Sequence, residues 1–273
     1  MTTTVLTPPV SQPGARAERT RTAPARIPLS RIVGVELRKM FDTRSGFWLM
    51  ASIAIAATLA TGAVILFASD SSITYDSFGA AIGVPMTVLL PVVAILSVTS
   101  EWSQRSGLTT FTLVPHRGRI VTAKLAATLV VGVTSMLVAL GIGAVGNVLG
   151  STIKGVDTVW DISLNQVLSI ILANVLGMLV GFMLGVLIRN SAGAVVGYFV
   201  FAFVLPTLSA LLAGSQAWFR DLQPWVDFNF AQTRLYDGAL TAAEWAHLGV
   251  TSAIWVLVPL LVGVRLVLRS EVK

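Results

Sequence analysis

The sequence predicts an all-α, polytopic membrane protein with six transmembrane helices, and three observations carry that expectation. The first is composition: 12% of the 273 residues are charged and 55% are hydrophobic, with mean hydropathy +0.81. Soluble domains run near a quarter charged. The second is a set of six runs, 46–68, 78–98, 125–149, 167–188, 192–214 and 248–268, that lack charge apart from Arg265 near the end of the last. At 1.5 Å per residue, about 20 residues cross a hydrocarbon core of ~30 Å, and every run is that long. A charge at mid-membrane costs at least ~2.5 kcal/mol, so its absence is what spanning requires. Arg265 can snorkel to the interface. The third is the asymmetry of lysine and arginine. With the residues before Gly46, the segment 100–124, Arg189 and the tail from Arg265 on one side, 16 of the 19 basic residues gather there. Only Lys154, Arg220 and Arg234 fall opposite, together with eight of the thirteen acids. By the positive-inside rule, both termini and the 100–124 segment are expected in the cytoplasm. The pI near 10.3 is thereby a topology signal, and no nucleic-acid partner is expected.

In chain order, residues 1–27 are rich in Thr, Pro, Ala and Arg and lack the apolar core of a secretory signal, which reads as a disordered basic tail. Residues 28–45 follow a helical period. Leu29, Ile32, Val33, Leu37, Met40 and Phe41 share one side and Arg31, Arg38 and Asp42 the other, which predicts an amphipathic helix in the membrane interface. Glu36 interrupts the apolar side, and Lys39 is its simplest partner. Between spans two and three, residues 100–124 make a polar link far longer than the usual 2–8 residues. Ser106 and Gly107 look like a helix start, Phe111, Leu113 and Val114 supply an apolar face, and Pro115 stops it. The external stretch 215–247 is spaced for short amphipathic helices at Trp218, Phe219, Leu222, Trp225 and Val226, which rest at the interface or dip back into the protein. Trp48, Trp102, Trp160, Trp218, Trp225 and Trp245 sit near span borders, as an aromatic belt does. Residues 269–273 are expected to form a cytoplasmic tail.

Signals for chemistry are few. The chain has no cysteine and only His116 and His247, predicted on opposite sides, so no metal site or nucleophilic triad assembles. No P-loop pattern occurs, and catalysis by this chain is not expected. Gly141 to Gly146 fits G-x-G-x-x-G but lies inside an uncharged span, where glycines serve helix packing. Gly177, Gly181 and Gly185 make two overlapping G-x-x-x-G steps in span four and read the same way. The six runs hold no Asp, Glu, Lys or His, the groups that ion-coupled carriers place within their spans. Asn147 and Asn174 read as interhelical hydrogen bonders, and Pro85, Pro91, Pro206 and Pro259 as kinks or breaks.

The 100–124 segment resembles the cytoplasmic coupling segment of ATP-binding-cassette permeases of the second exporter type. The matching residues are Glu101, Arg105, Gly107, Thr109, Pro115, Arg117 or Arg119, and Lys124. The stretch "VELRKMFDTRSGFW" is similar to that family's amino-terminal helix, with Glu36, Lys39, Thr43 and Arg44 in place, and "LLVGVRLVLRSEVK" to its basic ending. The resemblance implies the membrane subunit of an ATP-driven exporter in the plasma membrane, with a coupling helix between spans two and three. It further implies two copies of a separate ATPase subunit that carry ATP and Mg, and a second membrane subunit, identical or not. On the same basis Glu101, Arg105, Gly107, Thr109, Phe111, Pro115, Arg117 and Lys124 are expected to contact the ATPase or set that contact's geometry, and Glu36 and Lys39 to support the interfacial helix. The substrate is expected to be hydrophobic or amphipathic. The rival expectations are an ion-coupled carrier or channel, and an immunity or signalling module that moves no solute.

Because the native chain has no cysteine, a single introduced one reports topology cleanly. Ser106→Cys is expected to resist an impermeant maleimide in intact cells, and Asp157→Cys to react with it. The opposite pattern inverts the predicted orientation.

Overall fold

The computed structural model describes residues 27–103 and 117–269, without the side chains of residues 45, 101–103 and 117. The expected tails and the helix expected within 104–116 lie outside the described residues. Helix α1 covers Leu29–Asp42. Four spans follow: α2 (Arg44–Phe67), α3 (Tyr75–Ser103), α4 (Arg117–Lys154) and α5 (Leu164–Ile188). The fifth joins α6 (Ser191–Phe199) to α7 (Leu205–Ser215) through a π turn over Val200–Val204. Two short helices, α8 (Ala217–Val226) and α9 (Phe228–Thr233), precede the sixth, which joins α10 (Ala242–Ser252) to α11 (Val258–Arg269) through a second π turn. Among the described residues there is no strand, only an isolated bridge between Thr74 and Val159. Six helices have the length and hydropathy to cross a bilayer, and this is an all-α, multi-pass membrane protein.

Helix ends differ from the apolar runs because caps, not hydropathy, set them. Helix α4 extends past its run at both ends to 38 residues, or about 57 Å, more than the ~40–45 Å of a bilayer with headgroups. The sixth span starts at Ala242, six residues before its apolar run, where Thr241 and Glu244 close a capping box. At the α1–α2 corner the Thr43 hydroxyl accepts the Gly46 N–H at 3.0 Å. A Cβ on Gly46 would overlap the Met40 carbonyl oxygen, so this corner demands glycine.

Spans two and four form the axis, with about half of their most apolar windows buried (50% and 56%), against 17% and 11% for spans one and five. Gly177, Gly181 and Gly185 turn toward α3 along this axis. The approach is closest at Gly181, whose added Cβ would stand 2.5 Å from the Pro91 carbonyl oxygen and 2.9 Å from its Cα. Met86, Leu90, Ala94, Met178, Phe182 and Val186 pack around the contact. The glycines of α4 play the same part, Gly143 against Ile82 and Gly146 against Thr61 and Phe78. Two glycines of the G-x-G-x-x-G stretch are thus mid-helix packing surface, while Gly141 faces open space.

The prolines explain the irregular turns. Pro91 has no N–H, which leaves the Thr87 carbonyl without its intrahelical donor. The Tyr198 hydroxyl donates to that carbonyl from α6. Pro206 and Pro259 each follow a π turn, in which Leu205 N–H reaches Val200 O and Val258 N–H reaches Ala253 O. The wider register makes room for the ring but leaves Pro206 with no N–H to offer Phe201 O. Asn229 Nδ2 donates there at 3.1 Å.

That bond belongs to a re-entrant hairpin, which decides the fate of the 215–247 stretch. Helix α8 runs antiparallel to α7, with Arg220 Nε donating to Ala213 O at 2.9 Å and Gln223 Nε2 to Ser209 Oγ at 3.1 Å. Helix α9 turns back outward, and Gln232 Nε2 donates to Ala173 O of α5 at 2.6 Å. Phe201 lies ten residues into its span, about 15 Å along a hydrocarbon core of ~30 Å. The hairpin tip at Asp227 and Phe228 therefore sits near mid-membrane. Trp255 anchors it by donating Nε1–H to Val226 O at 2.7 Å, and Trp225, expected at a span border, lies beside the tip instead.

Gly181→Val is expected to push α5 off Pro91 and cost about 1–3 kcal/mol. Gly177→Ala, whose Cβ would find ordinary contacts at 3.6 and 3.7 Å, is expected to be neutral or slightly stabilising. Thermal unfolding in lipid nanodiscs checks both.

Candidate functional site

The side of the membrane rich in lysine and arginine carries a buried ionic clamp. Helix α1 lies along the start of α4, where Arg119 Nη2 donates to Ile27 O at 2.7 Å and Gly118 faces Leu268 of α11. Between them Lys124 Nζ donates to Glu36 Oε2 at 2.5 Å and to Ser97 O of α3 at 3.2 Å. Lys39 Nζ donates to Glu36 Oε1 at 2.8 Å. The Lys124 ammonium thus joins α4 to α1 through Glu36 and to α3 through the Ser97 carbonyl. Hydroxyl pairs extend the tie, Ser97 to Thr128 on α4 at 3.0 Å and Thr99 to Ser191 on α6 at 2.7 Å. Burial opposes ionisation of Glu36, but the Lys124 and Lys39 ammonium groups outweigh it and hold the carboxyl below its usual 4.5. The folded state therefore binds this proton less readily than the unfolded chain does. The clamp's contribution to stability is present above about pH 4.5 and is lost as the pH falls below it.

The coupling residues fall around this clamp unevenly. Glu101 lies on the last turn of α3 and Arg117 opens α4, both without described side chains. Arg105, Gly107, Thr109, Phe111 and Pro115 lie outside the described residues. The Lys124 side chain is 6% exposed, and its ammonium is turned inward onto Glu36. It positions the helices that bear the segment and offers little surface for contact. Lys39 was visible at one helical turn. Lys124 is 88 residues from Glu36, and only the basic residue opening span three hinted at it. Helices α3 and α4, which flank 104–116, are pinned together there by the Lys124–Ser97 contact.

A second feature lies at mid-membrane. A cavity of about 170 Å³, open on one side, lies between α3, α5, α6 and α9, with Thr87, Asn174, Tyr198, Asn229, Gln232 and Thr233 in its wall. No acid, base or histidine lines it. Asn174 departs from the interhelical role expected of it. Its Nδ2 donates to Ile170 O on its own helix at 2.9 Å, and its buried Oδ1 has no partner. An unsatisfied buried acceptor costs about 1–3 kcal/mol. Asn147 likewise bonds a loop and not another helix, donating to Val159 O at 2.9 Å. The hairpin also brings Asp227 to mid-membrane depth, where its Oδ1 accepts the Phe230 N–H at 3.1 Å as the N-cap of α9. A search for unbroken apolar runs cannot see this carboxylate, because its neighbours in sequence include the charged Arg220 and Asp221. Among the described residues no group of His, Cys, Asp and Glu is placed to hold a metal ion.

No known protein family matches this chain, and no curated protein is detectably similar to it.

Lys124→Met alone is expected to cost about 1–3 kcal/mol, because the buried Glu36 carboxylate is left with only the half-exposed Lys39 as partner. Glu36→Leu with Lys124→Met is expected to recover most of that loss. In melting curves the native chain should lose stability below about pH 4.5, and the double variant should lose the Glu36 share of that dependence.

Proposed function

We propose that this chain is the membrane-spanning permease subunit of an ATP-driven exporter, of the ATP-binding-cassette type that its coupling segment resembles. It sits in the plasma membrane with both termini in the cytoplasm. A separate ATPase binds there and supplies the energy, and a second membrane subunit completes the assembly. The observation that carries this reading is the base of the 104–116 segment. Helices α3 and α4 reach it from the membrane, and the buried Glu36–Lys124 pair locks both to α1. Such a support turns motion of a docked partner into motion of the spans. The absence of Asp, Glu, Lys and His from the six apolar runs favours an external energy source in the same direction.

Asp227 favours the rival of an ion-coupled carrier, since a carboxylate at membrane depth is what such a carrier needs. The two readings separate at one substitution. Asparagine caps a helix as well as aspartate does, so Asp227→Asn is expected to preserve ATP-driven export in a flux assay. Loss of flux with the fold intact would favour ion coupling. On the coupling side, Gly107→Trp with Phe111→Asp is expected to abolish both co-purification with the ATPase and ATP-dependent export. Retention of both would overturn the reading.

A further inference from the structure

We infer that the mid-membrane cavity between α3, α5, α6 and α9 binds the neutral, hydroxyl- or amide-bearing head of an amphiphile, whose apolar body lies on the lipid-facing flank of the fifth span. The binding step stands independently of what powers the chain. That the same amphiphile is the exported one rests on the exporter reading.

Four observations converge on this ligand. The first is unsatisfied chemistry. Asn174 is 3% exposed, lines the cavity, and its Oδ1 has no hydrogen-bond partner. A ligand that donates an O–H or N–H there completes the site. The second is the character of the wall. Hydroxyls and carboxamides from Thr87, Tyr198, Asn229, Gln232 and Thr233 surround the space without a formal charge. A charged head would be desolvated at mid-membrane with no counter-ion, so the site selects neutral molecules.

The third is size. A volume of about 170 Å³ is well under the ~300–1,000 Å³ of pockets that enclose drug-sized ligands. It holds a small polar head and leaves the rest of the molecule outside. The fourth is the exit. Phe203 lines the cavity yet is 51% exposed, and it stacks on exposed Phe199 at 5.8 Å between centroids. The cavity therefore borders an apolar, outward-facing aromatic surface against which a chain can lie.

The site is also built to last. Tyr198 and Asn229 are held by donating to Thr87 O and Phe201 O, and Gln232 by donating to Ala173 O. Each of these polar groups is fixed before a ligand arrives, and Asn174 Oδ1 is left over for it.

The test uses the purified full-length chain in phosphatidylcholine nanodiscs, without any ATPase. The probe is a monoacylglycerol carrying a diazirine on its chain, and crosslinks are mapped by mass spectrometry. Saturable labelling near Phe199 and Phe203 is expected. Excess monoolein should suppress it, whereas hexadecyl sulfonate and hexadecyltrimethylammonium should not. Asn174→Leu is expected to lower labelling about tenfold, the scale of one lost hydrogen bond at a buried site. Thr233→Val is exposed at the rim and should lower labelling severalfold with an unchanged melting temperature. The inference is overturned by non-saturable labelling, by equal competition from either charged amphiphile, or by full labelling of both variants. Binding without ATP-driven flux of the probe would leave the site standing and count against the exporter reading alone.

Discussion

Inside hydrocarbon every backbone N–H and C=O must find its partner within the protein, and the architecture follows from how this chain meets that demand. Unbroken helices satisfy most of it. The prolines do not, and each one withholds a donor from a carbonyl in the middle of the membrane. At Pro91 and Pro206 the remedy comes from side chains on other elements, Tyr198 for Thr87 O and Asn229 for Phe201 O. The second remedy requires a hairpin that dips between the spans. Satisfying these two carbonyls thus draws polar side chains into the interior, and the polar cavity is the space between them.

The same axis explains why spans two and four sit at the centre. Glycine at position 181 lets α5 lie almost on the backbone of α3 at Pro91, and the kinked helix is braced where it is weakest. On the basic side a different force takes over. There the buried Glu36 carboxylate is matched by two ammonium groups, and one of them, on Lys124, also reaches a third helix at Ser97 O. A buried ion pair is a poor source of net stability but fixes geometry strictly, because any mispaired arrangement strands a charge. That suits a place where rigidity matters more than stability: the root of the segment proposed to receive an ATPase.

The features legible in the sequence were local ones. Spans declare themselves by length and hydropathy, the glycine stripe by its four-residue step, and the Glu36–Lys39 contact by one helical turn. The amphipathic character of 215–247 was also plain, yet not its depth. What escaped were contacts across long separations. Lys124 meets Glu36 over 88 residues, and Tyr198 meets Thr87 over 111. No periodicity links such pairs. Asp227 was overlooked for a related reason: a residue's depth depends on whether its helix turns back, and hydropathy averaged along the chain carries no record of that turn. Asn174 could be recognised as polar and buried, but its idle oxygen became visible only once its neighbours were placed.

The central claim is that this chain transmits motion and does not generate it. Isolating the full-length protein from its native membrane in mild conditions, then assaying the preparation for ATP hydrolysis and identifying its components, tests this most directly. The account predicts a stable complex with a P-loop ATPase in equal numbers, and flux on reconstitution only when ATP is supplied. A chain that purifies alone and drives flux from an ion gradient would contradict it.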